Sequence, residues 1–152
     1  RNWPANGSRR NDRMNIPPIV GVLLALQFAA FGWRINREIP LGDAGRRTWF
    51  PIADFTNILA LISVIAFCVV IPIRLGVFGR VSTTALAVGF VLIGFHPIIT
   101  AAHYRLFSKV GRSIYIKGPD DDYPYATGQE ILALIVSIIA AIGTGYLVYD
   151  GG

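Results

Sequence analysis

The sequence predicts an all-α integral membrane protein, with four transmembrane helices in an antiparallel bundle joined by short connections. Three observations lead there. Mean hydropathy is +0.52, and 53% of the residues are hydrophobic against 15% charged, a balance foreign to a soluble domain of 152 residues. The stretches Met14 to Trp33, Phe55 to Ile73, Val81 to Ala102 and Ile131 to Tyr149 carry no formal charge and together make up more than half of the chain. Each comes close to the roughly 20 apolar residues that cross a hydrocarbon core of about 30 Å at a helical rise of about 1.5 Å. Finally, most basic residues stand singly or in pairs at the ends of these runs, as juxtamembrane anchors do.

The expected organisation is a polar, basic tail over residues 1–15 and one transmembrane domain over 16–149. Its spans are expected at about 16–33, 52–73, 81–102 and 130–149, with an amphipathic, then acidic loop over 103–129. The tail holds Arg1, Arg9, Arg10 and Arg13 against Asp12 and lacks apolar periodicity. A segment of that composition has no face to bury.

The first run has Pro17 and Pro18 at its start, Gln27 within it and bulky Phe31 and Trp33 at its end. It therefore reads as a permanent span, not a cleaved signal. Gly21, Ala25 and Ala29 recur every four residues, with Gly32 just beyond. Such a stripe lets a second helix approach closely, and in lipid that close packing is a main source of helix adhesion.

Arg34 to Pro51 reads as the first connection, because Pro40, Gly42 and Gly45 oppose a long helix. Trp33 and Trp49 bracket it as interfacial aromatics. Pro51 suits the first turn of the second helix. Asp54 and Asn57 follow on one face near its entrance, where a carboxylate favours the positive end of the helix dipole.

The second run ends at Ile71-Pro72-Ile73, and Arg74 to Arg80 is a tight turn with Gly76 and Gly79. A turn this short makes the flanking spans neighbours. In the third run Ala85 and Gly89 form a shorter small-residue face, and Pro97 predicts a kink beside His96.

The connection from His103 to Glu130 begins basic, with Arg105, Lys109 and Arg112 placed to meet headgroups. It changes sign at Asp120-Asp121-Asp122, which reads as a solvated turn because the alternating ligand spacing of a calcium loop is missing. Thr127-x-x-Glu130 is a capping-box pattern opening the fourth helix. That helix repeats Ala133, Ser137, Ala141 and Gly145 every four residues.

Lys and Arg are more numerous in the loops 34–51 and 103–130 than in the termini and the 74–80 turn. Both loops are accordingly expected in the cytoplasm and the two chain ends outside, with the protein in a cell (inner) membrane.

Candidate chemistry is sparse. His96 is the sharpest residue, since imidazole inside a span can ligate haem, a pigment metal or a proton path. The other histidine, His103, is about 10 Å further along the same helix, too far to share one metal. No metal or cofactor is expected, with His96 the ligand if a haem or pigment were held. Cys68 stands alone in the second run and reads as a small hydrophobe. The motifs of hydrolases, phosphate loops and zinc peptidases are missing, so no enzyme is expected.

A pI of about 9.8 does not imply nucleic-acid binding, because little soluble surface exists to carry it. The expected partners are the bilayer and other membrane subunits or further copies of the chain. The expected role is a helix-packing scaffold or accessory subunit of a larger membrane assembly. The first alternative is a homo-oligomeric pore or small transporter built on Asp54, Asn57 and the kink, and the second a haem- or pigment-binding subunit using His96.

Overall fold

The computed structural model describes residues 16–45, 51–104, 106–107, 116–117 and 124–151. The basic tail, the acidic triplet Asp120 to Asp122, and Arg105, Lys109 and Arg112 lie outside the described residues. Among the described residues four helices are long and apolar enough to cross a membrane: α1 (Ile16–Asp43), α2 (Ile52–Leu75), α3 (Arg80–His103) and α4 (Gly128–Gly151). A two-stranded antiparallel ribbon, β1 (Ile116–Lys117) with β2 (Pro124–Ala126), precedes α4. Its register pairs Ile116 with Ala126 and Lys117 with Pro124, with a bulge between the pairs.

The first helix corrects the sequence reading. It does not stop near Trp33 but runs through Pro40 to Asp43. Pro40 withdraws only the bond its amide would have made to the carbonyl one turn back. Against that loss, Arg34 and Glu38 form an i,i+4 ion pair of 2.8 Å across the extension. The chain turns beyond it at Gly45, whose φ of 69° suits glycine.

Helix α2 starts after extended Pro51, with the Asp54 amide donating to the Pro51 carbonyl at 3.0 Å. Its middle, Ile65–Val70, is π-helical. Pro72 has no N–H for the Cys68 carbonyl, and the wider turn just before it absorbs the mismatch. The helix ends at Gly76 in the left-handed region, its amide bonded to the Pro72 carbonyl at 2.8 Å. Pro97 lies inside α3, where the sequence placed it.

Val20 and Leu23 of α1, Val64 and Cys68 of α2, and Leu86 of α3 form the buried apolar core. Gly89 sits where these helices meet. A Cβ there would lie 2.7 Å from Val64 Cγ2 and 2.9 Å from Leu23 Cδ2, so only glycine permits the approach. Helix α4 packs most broadly on α3. Large apolar side chains such as Phe28, Leu59, Ile62, Ile139, Ile142 and Leu147 point outward.

Candidate functional site

The buried ionisable side chains Arg34, Glu38, Asp54, His96 and Glu130 gather towards one end of the bundle, where the C-terminal parts of α1 and α3 meet the first turns of α2 and α4. Asp54, 1% exposed, is the hub. Its Oδ2 accepts from Arg34 Nε at 3.0 Å, and its Oδ1 lies 3.2 Å from His96 Nε2. With the carboxylate accepting, Nε2 is the donor nitrogen of His96. Arg34, 2% exposed, also pairs with Glu38 and donates through Nη1 to the Tyr104 hydroxyl. Three helices and the residue after α3 are thus joined through two side chains.

A second knot ties α4 to α3 and α2. Glu130, fully buried, carries it. Its Oε2 lies 2.8 Å from His103 Nδ1, and its Oε1 accepts the Ile52 amide at 3.1 Å. The capping box is formed in full: Thr127 Oγ1 accepts the Glu130 amide at 3.0 Å, and Glu130 Oε2 takes the Thr127 amide at 3.4 Å. Thr127 Oγ1 also donates to the Ala102 carbonyl at 2.9 Å. One carboxylate therefore serves the N-termini of two helices, each the positive end of a helix dipole.

The ion pairs give way to neutral polar groups deeper in the bundle. Asn57 Nδ2 donates to the Gln27 carbonyl at 3.2 Å. The Gln27 amide, with no exposed surface, makes no side-chain hydrogen bond among the described residues. Beyond these lies the apolar core, with the hydroxyls of Ser82 and Ser137 also buried in the bundle. Among the described residues no three of His, Cys, Asp and Glu come close enough to hold a metal ion. His96 and His103 each face a separate carboxylate.

A groove of about 830 Å³ opens beside His96, between α1 and α3. Leu26, Ala30, Trp33 and Arg37 line one wall at helical spacing, and Phe90, Gly94, Pro97 and Ala101 line the other. Arg37 closes the loop end, its guanidinium carbon 4.1 Å from the centre of the Tyr104 ring.

The small-residue stripes have different fates. On α4, Ser137 and Ala141 are buried, Ala133 and Gly145 half-buried. A Cβ on Gly145 would come within 3.2 Å of Val88, which places this stripe against α3 of the same chain. Ala85 is half-buried and Gly89 buried in the same interior. On α1, Gly21, Ala25 and Ala29 are all exposed, with open space around Gly21 and Gly32.

Of the polar candidates, the structure joins Asp54 to His96 and sets Asn57 one turn below. Sequence reasoning missed Arg34, Glu38 and Tyr104 as their partners, and the pairing of His103 with Glu130. The i,i+4 spacing of Arg34 and Glu38 was the available signal, and it was outweighed by Pro40 and the glycines after it. No family model matches the chain, and neither the curated proteins nor the solved structures yield a match to it.

Proposed function

We propose that the chain is an integral membrane protein, an antiparallel four-helix bundle that works as a non-enzymatic scaffold or accessory subunit. Its partners are other membrane subunits or copies of itself, engaged through the outward face of α1. The observation that carries this reading is the exposed stripe Gly21, Ala25 and Ala29 on α1, whose counterpart on α4 is already used within the chain. Small residues matter in lipid because they admit a second backbone, so an unused stripe favours a second helix over lipid alone.

The buried ion pairs fit the same role. Asp54 and Glu130 are both engaged by partners in the chain, and an apolar layer lies beneath them. That arrangement favours a braced bundle over a polar path through one copy. The outward-facing apolar residues suit contact with hydrocarbon, and the Lys and Arg distribution favours the braced end in the cytoplasm, across a cell (inner) membrane.

Gentle-detergent purification of Ala25→Leu and Ala141→Leu tests the assignment. Ala25→Leu is expected to shrink the native particle while leaving the thermal midpoint of the isolated chain unchanged. Ala141→Leu is expected to lower that midpoint, because its side chain has no space against α3. A wild-type particle mass in Ala25→Leu would refute the role given to α1.

A further inference from the structure

The groove between α1 and α3 has a chemical gradient along its length. Its lower walls are Leu26, Ala30, Phe90 and Gly94, all apolar. Its loop end holds Arg37 and Thr100. Arg37 has no carboxylate partner among the described residues, unlike Arg34, which is matched by Asp54 and Glu38. The Thr100 hydroxyl is buried, with the residue 8% exposed, and makes no hydrogen bond among the described residues. A cation without a carboxylate partner among the described residues thus stands above an apolar channel.

The dimensions are those of one lipid leaflet. From Leu26 to Arg37 the rise along α1 is about 16 Å, and half of a hydrocarbon core is about 15 Å. The long axis of the groove runs with the helices, its polar end at the ends of the spans.

We propose that this groove holds an anionic phospholipid from the leaflet on the braced side. Its phosphate accepts from Arg37, and an acyl chain lies between α1 and α3 down to Leu26 and Phe90. The site rests on the membrane-spanning reading above. A volume of about 830 Å³ lies within the usual range of small-molecule sites, roughly 300–1,000 Å³. The small side chains of Ala30, Gly94 and Ala101 create the space, and a Cβ at Gly94 would meet nothing within 4 Å.

Trp33 lines the groove and reports its occupancy. The chain carrying Trp3→Phe and Trp49→Phe is reconstituted in vesicles containing either brominated phosphatidylglycerol or brominated phosphatidylcholine at equal mole fraction. The anionic lipid is expected to quench Trp33 with about fivefold higher relative association, the preference one basic group gives at an anionic surface. Arg37→Gln should bring the ratio close to one. Gly94→Leu should remove it as well, by filling the groove while Arg37 stays in place.

Equal quenching by the two lipids would overturn the site. So would a preference that survives Gly94→Leu, since that marks general attraction of headgroups to the basic surface. Failure of either lipid to quench Trp33 would overturn the membrane-spanning reading and the site with it.

Discussion

Replacing Asp54 by leucine tests whether the hub holds the braced end together. Leucine has the branching of the carboxylate in a bulkier side chain and removes both acceptor oxygens at once. Arg34 Nε then loses its 3.0 Å partner and His96 Nε2 its 3.2 Å partner, both in sites closed to water. Breaking one side of a buried ion pair usually costs about 3–5 kcal/mol, because the remaining charge stays desolvated. Arg34 keeps Glu38 and Tyr104, so the lower end of that range, about 3 kcal/mol, is expected here.

The assay is a double-mutant cycle in detergent, with Asp54→Leu, Arg34→Met and the pair followed by equilibrium unfolding. The pair should be less destabilised than the two singles added together, by about 2 kcal/mol, because the double variant leaves no stranded guanidinium. Additive effects would refute the reasoning, and so would an Asp54→Leu protein as stable as the wild type. Either outcome would mean that the end is held by apolar contact and the ion pair is incidental.

Three further substitutions probe separate parts of the fold. Gly89→Ala places a methyl group within 3.0 Å of both Val64 and Leu23. A loss of about 1–3 kcal/mol is expected, read by thermal unfolding, and an unchanged midpoint would show that α3 can shift away. Glu130→Ala strands the Ile52 amide, His103 and the capping box, whereas Glu130→Gln retains an acceptor for Ile52. Alanine should therefore lower the midpoint more than glutamine, and equal losses would assign the effect to charge alone. Gln27→Leu removes an amide whose oxygen and nitrogen lack partners among the described residues and keeps the carbonyl that Asn57 uses. Stability should hold or rise by about 1 kcal/mol, and a fall in the midpoint would show that the amide is hydrogen bonded.

The four helices were legible because spanning length and charge exclusion leave a direct mark on composition. The continuation of α1 was not. Pro40, Gly42 and Gly45 are local breakers, whereas the forces that carry the helix past Trp33 are tertiary: Arg34 gains Asp54 and Tyr104 only once α2 and α3 are in place. The stripes show the same boundary. Spacing marked a small-residue face on both α1 and α4, yet a period contains no partner. Val88 and Thr84 of α3 cover Gly145, and among the described residues nothing covers Gly21. The capping box at Thr127 was readable because all of its atoms lie within one turn, but the His103 partner of its glutamate was not.

The placement of charge follows from chain direction. Asp54 and Glu130 occupy the first turns of α2 and α4, where the unpaired amides and the dipole favour an anion. His103 lies in the last turn of α3, and His96 two turns earlier. Helix starts and helix ends meet here, so Asp54 stands beside His96 and Glu130 beside His103. Each contact then serves twice: it settles a helix terminus and joins two helices. At the opposite end the connection from α2 to α3 is a tight turn capped by left-handed Gly76, which keeps those helices adjacent together with the Cys68 thiol, donating to the Ser82 carbonyl at 3.2 Å. The polar pairing is thus concentrated at the end where the long connections could not impose it.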